Sequence, residues 1–130
     1  MAGKKKLGMG LDTLLSSVQS PVTPKTGNVE WTRIKNTFEQ ARREDEAGNV
    51  FEAYHLYRLA GDMAGEKGDA ASVETRRLAS QALNNAAVIL CEHGYPDQAR
   101  ELLEKAVSIC PDNHTARENL DTLLQGGIQP

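Results

Sequence analysis

From residue 28 onward, apolar side chains recur at three- and four-residue spacing, the period of a helix that buries one face. Trp31, Ile34, Phe38 and Ala41 share such a face. They predict a first helix from about Val29 to Glu46, with Asn28 as N-cap and Glu30 near the positive helix end. Gly48-Asn49 then breaks the pattern. Ala53, Tyr57, Ala60 and Ala64 predict a second helix, which Gly65 and Gly68 weaken near its end. A long third helix follows, with Val73, Leu78, Leu83, Ala86, Ala87 and Leu90 on its apolar positions and Gly94 at its stop. Pro96 suits a first helical residue, where a missing N–H costs nothing, and opens a fourth helix that runs until Pro111. Thr115 to Glu118 reads as a capping box for a fifth helix with Leu120, Leu123 and Leu124, ended by Gly126-Gly127. The expected fold is all-α: two helix hairpins and a capping helix over residues 28–125.

The two hairpins share a frame. Gly48, Ala53, Tyr57 and Ala60 in the first correspond to Gly94, Ala99, Leu103 and Ala106 in the second, at an offset of 46 throughout. Small residues let two helices approach, and the large ones between them fill the gaps. From Ser80 to Asn113, the positions Leu83, Ala86, Ala87, Leu90, Gly94, Ala99, Leu103, Ala106 and Pro111 resemble the tetratricopeptide repeat family. The resemblance implies a short solenoid of stacked hairpins with a concave groove that holds a peptide or helix. Gln81, Asn84 and Val88 lie on the groove side in that scheme, and Arg42 with Asn84 echoes the residues by which co-chaperone repeats grip a terminal carboxylate. The first hairpin departs from the pattern: Gln40 and Glu44 are polar, and no proline follows Ala60. The offset also exceeds the usual period of about 34 residues, so helices two and three are longer than normal or an insertion lies near Gly65 to Ala71. Two and a half repeats fall short of the three units such stacks usually need, which leaves a homodimer as one route to stability.

The opening stretch "KKKLGMGLDTLL" differs from everything after it. Leu7, Leu11, Leu14, Leu15 and Val18 form one helical stripe, but Gly8 and Gly10 each cost about 1 kcal/mol of helix stability. Burying four leucines yields roughly 6 to 12 kcal/mol, while ordering each of some nine residues costs about 1 to 2 kcal/mol. The segment is expected to be disordered alone and to bind weakly and transiently. "SSVQSPVTPKTG", residues 16–27, has the composition of a flexible linker, and residues 126–130 that of a disordered end. Seven positions, Leu7, Gly8, Gly10, Leu11, Asp12, Leu14 and Leu15, coincide with the N-terminal motif of ParB-type partition proteins, a basic cluster followed by LGxGLDxLL. The resemblance covers about a tenth of the chain. It implies that residues 1–15, with Lys4, Lys5 and Lys6 as the basic cluster, engage a ParA/MinD-family ATPase. Met9 stands where that family commonly has a basic residue, which leaves Lys4, Lys5 or Lys6 to supply any charge that assists hydrolysis.

Charge divides the chain the same way. Residues 1–27 carry four lysines against Asp12, whereas the remainder carries 11 basic and 17 acidic side chains. Clustered positive charge is confined to the arm, so specific nucleic-acid binding by the body is not expected. Cys91 and Cys110 fall inside apolar helical patterns, without metal-ligand spacing, and read as buried thiols. His55, His93 and His114 are scattered, with no nucleophile or carboxylate set beside them, so neither an enzyme nor a cofactor is expected. No stretch reaches membrane-spanning length and no secretory signal is legible, which predicts a cytoplasmic protein. The expected role is an adaptor that joins an ATPase to a protein cargo or scaffold. The alternatives are a general repeat scaffold, a co-chaperone-like peptide binder, or an arm lying on a membrane surface.

Overall fold

The computed structural model describes residues 28–65 and 72–126. Five helices carry them: α1, Asn28–Glu46; α2, Val50–Gly65; α3, Val73–Glu92; α4, Pro96–Ile109; and α5, His114–Leu124. The expected ATPase-binding arm at 1–15, the linker at 16–27 and residues 127–130 lie outside the described residues.

Two turns set the architecture. Gly48 and Gly94 both have φ of +89°, a left-handed conformation that only glycine adopts without cost. At the first turn, Asn49 N–H donates to Glu44 C=O at 2.8 Å and Gly48 N–H to Asp45 C=O at 3.1 Å. At the second, Tyr95 N–H donates to Leu90 C=O at 2.9 Å and Gly94 N–H to Cys91 C=O at 3.2 Å. These are the paired six-to-one and five-to-two bonds that terminate a helix and reverse the chain. The offset of 46 is thus a repeat of the same turn, and each turn folds its two helices into an antiparallel hairpin.

The small residues of the shared frame do what their spacing implies. Ala53, Tyr57, Ala60, Ala99, Leu103 and Ala106 are all fully buried. Phe38 and Tyr57 meet edge to face, with ring centroids 5.6 Å apart, and fix α1 on α2. At Gly61 of α2, a Cβ would lie 2.5 Å from Leu83 Cδ2, so α2 and α3 approach as closely as they do because this position has no side chain.

Tyr57 lies near Asn85 and Gly61 near Leu83, so α2 and α3 are antiparallel. Asn113 bonds Ser80 and Asn119 bonds Asn84, so α5 runs parallel to α3. The result is two layers: α1, α3 and α5 side by side, backed by α2 and α4, with α3 packed against all four others. Residues Leu78 to Ile89 of α3 are buried without a break.

One local expectation is corrected. α5 begins at His114, and its N-cap is Asn113, whose Oδ1 accepts from Ala116 N–H at 3.1 Å; the cap is not built on Thr115. α3 is capped by Ser72, which accepts from Thr75 N–H at 3.1 Å, and starts seven residues before Ser80. Those added turns supply part of the extra length between the two hairpins.

Candidate functional site

The side of α3 that turns toward α5 carries a buried chain of amides. Ser80 Oγ donates to Ala106 C=O at 2.7 Å, which ties α3 to α4. Asn113 Nδ2 donates to Ser80 Oγ at 2.9 Å while its Oδ1 caps α5, so one side chain ties α5 to α3. Gln81 Nε2 donates to Asn85 Oδ1 at 2.8 Å, and Asn84 Nδ2 reaches the same oxygen at 3.3 Å. Asn119 Nδ2 closes the chain on Asn84 Oδ1 at 2.8 Å. Ser80, Gln81, Asn84 and Asn85 are at most 1% exposed. Buried polar groups persist only when they find partners, and here amides supply them for one another. Asn85 Nδ2 lies near the Tyr57 hydroxyl without reaching hydrogen-bond geometry.

This burial corrects the expectation for the groove. Gln81, Asn84 and Val88 do not line an open surface: all three are shut away from water. Gln81 and Asn84 are held by amide bonds that include Asn113 and Asn119, and Val88 belongs to the hydrophobic core. Asn85, Asn113 and Asn119 belong to the same chain and carried no signal in the helical periodicity, because a buried and a solvated asparagine occupy the pattern alike. Arg42 is apart from this cluster. Its Nη1 pairs with Glu46 Oε2 at 2.8 Å one turn along α1, and its Nε is buried without a hydrogen-bond partner. Arg42 and Asn84 are therefore not brought together as a carboxylate grip. Of the expected ATPase-binding residues, Lys4, Lys5, Lys6, Leu7, Gly8, Gly10, Leu11, Asp12, Leu14 and Leu15, all lie outside the described residues.

A second polar feature joins α1 to α2. Tyr57 Oη donates to Asp45 Oδ2 at 3.4 Å. Burial raises the Asp45 carboxyl above the usual range, opposed by the Tyr57 bond and reinforced by Glu46. Burial also pushes the Tyr57 phenol well up, with Asp45 adding to the shift. Cys91 is raised by burial and by Glu92, which disfavours its reactive thiolate. Apolar side chains remain exposed near the turns and helix ends: Phe51, whose ring lies 5.5 Å from that of His93, and also Tyr95 and Leu124. Among the described residues, no helix is long and apolar enough to cross a membrane.

Compared with known proteins, the chain has no match among curated sequences or solved structures. The family model for the tetratricopeptide repeat matches residues 80–113. The matched span starts inside α3, takes in the Gly94 turn and α4, and ends on Asn113, the residue that locks α5 to α3. Residues 80–113 are thus a tetratricopeptide repeat, set in an all-α body of five described helices.

Proposed function

We propose that the protein is a non-enzymatic adaptor, in which the helical-repeat body holds a protein cargo or scaffold and the N-terminal arm recruits a ParA/MinD-family ATPase. A tetratricopeptide repeat suggests a protein-protein interaction module, and the repeat at 80–113 supports that part directly. The arm's role is supported by the stretch Leu7-Gly8-Met9-Gly10-Leu11-Asp12-Thr13-Leu14-Leu15 behind Lys4, Lys5 and Lys6. Its four leucines are too few and too interrupted for tight binding. Weak binding suits a regulator that must engage a nucleotide-driven partner and let go. The observation that carries the proposal is the contrast between a basic, leucine-striped arm and an acidic, packed body on one chain.

A general repeat scaffold with an incidental arm is the second reading, and the repeat supports it equally. The two are separated by mixing the protein with ParA/MinD-family ATPases and ATP, with and without residues 1–20. The adaptor role predicts retention of the ATPase by the full chain only. Equal retention and equal ATP turnover for both forms leave the scaffold.

A further inference from the structure

Phe51 is the most exposed large apolar side chain among the described residues, at 74%, and Tyr95 is 50% exposed. Single apolar side chains at a surface are ordinary, whereas a group of them marks an interaction site. Phe51 opens α2 just after the Gly48 turn, and Tyr95 closes the Gly94 turn just before α4. The Phe51 and His93 rings meet at a tilt, with centroids 5.5 Å apart, so the two turns lie together at one end of the helix stack. His93 is itself held, since its Nδ1 donates to Ile89 C=O at 2.9 Å. Phe51 is thus backed by a fixed ring while most of its surface faces water.

The same two turns select a partner by charge. Residues 42–52 and 91–99 carry Glu44, Asp45, Glu46, Glu52, Glu92 and Asp97 against Arg42 and Arg43, and Arg42 is paired with Glu46 at 2.8 Å. An open cleft beside Phe51 is lined by Glu44, Gly48, Asn49, Val50, Phe51 and Glu52, with two carboxylates and no basic side chain. Asn49 Nδ2 donates to Glu44 Oε1 at 2.7 Å, which fixes one of those carboxylates at the cleft. Nucleic acid and anionic lipid are repelled by such a surface, and so is a second copy of a body with 11 basic and 17 acidic side chains. What fits is positive and partly apolar. Arginine meets both demands, because its guanidinium stacks on an aromatic face while its N–H groups bond carboxylates.

We infer that this end of the repeat body docks a basic segment of a protein partner, with an apolar side chain against Phe51 and Tyr95 and arginine or lysine against Glu44, Glu52, Glu92 and Asp97. The exposed rings supply the anchor, and the carboxylates steer and orient the partner. This surface is distinct from the groove side of α3, where Gln81, Asn84 and Val88 are buried. It deepens the reading of the body as a protein-interaction module, on which it rests, and takes nothing from the N-terminal arm.

The test is a titration of the isotope-labelled full chain, followed by amide NMR, with a synthetic peptide of alternating leucine and arginine. The amides of Gly48, Phe51, Gly94 and Tyr95 are expected to shift together. Phe51→Ala, at an exposed position whose loss leaves the core intact, should weaken binding at least about fivefold. Glu52→Gln/Asp97→Asn should weaken it and reduce its salt dependence. Matched peptides with glutamate for arginine, or serine for leucine, should bind at least about tenfold more weakly. Equal binding by Phe51→Ala or of either matched peptide overturns the inference, as do no binding and shifts centred elsewhere on the body. Shifts of the same four amides with protein concentration alone assign the surface to a second copy and overturn it too. No ATPase is present, so failure here leaves the arm's proposed role standing, and a chain that docks the peptide without retaining an ATPase keeps this surface.

Discussion

The Asn119 side chain donates to Asn84 Oδ1 at 2.8 Å, with both residues buried, and this bond pins α5 to the centre of α3. Removing one side of a buried amide pair costs about 1 to 3 kcal/mol. Asn119→Ala is therefore expected to lower the unfolding free energy by that much, read as a lower urea midpoint with an unchanged slope. A midpoint within error of wild type would show that the Asn119 bond does not hold α5 to α3.

Gly48 and Gly94 share one backbone conformation, with nothing within 4 Å of a Cβ built on either. Replacing each by alanine meets no clash and costs only the left-handed strain, about 1 to 2 kcal/mol. Gly48→Ala and Gly94→Ala should destabilise by the same amount within about 0.5 kcal/mol, as separate sites add independently. Unequal losses in equilibrium unfolding would break the equivalence of the two turns.

Gly61→Ala gains about 1 kcal/mol of helix propensity, yet its new Cβ would sit 2.5 Å from Leu83 Cδ2. Overpacking of this kind costs about 1 to 3 kcal/mol, so the variant is expected to be less stable than wild type. Adding Leu83→Ala should cost less in the Gly61→Ala background than alone, because the methyl fills part of the space left. Strictly additive losses in the double-mutant cycle would refute the contact.

The Asp45 carboxyl is raised in the folded state, chiefly by burial. The folded protein therefore binds its proton more readily than the unfolded chain. The associated stability is present below the ordinary carboxylate range and is lost as pH rises through the raised value. Asp45→Asn, which keeps an acceptor for Tyr57, should flatten this fall in thermal melts from acid to neutral pH, with neutral stability equal or higher. A steeper slope in the variant would reverse the sign assigned here.

Much of the fold was legible because turns and small-residue spacing are local: Gly48, Gly94, Pro96 and the 46-residue frame each act over a few neighbours. The candidate site was less so. Gln81, Asn84 and Val88 lie on the α3 side away from its small-residue contacts, but Gln81 and Asn84 are bonded by Asn113 and Asn119, more than 30 residues away. Periodicity reports which face a residue takes, and not whether a polar side chain there meets water or another amide. Asn113 shows the same limit, since its capping role competes with an equally good pattern at Thr115.

The adaptor proposal meets its most direct test in a binding titration of the full chain against a ParA/MinD-family ATPase from the same cells, with ATP present. Wild type is expected to bind, and Leu11→Asp/Leu14→Asp to bind at least tenfold more weakly, about 1.4 kcal/mol or more. Equal affinity of the two chains, or no binding by wild type, would contradict it.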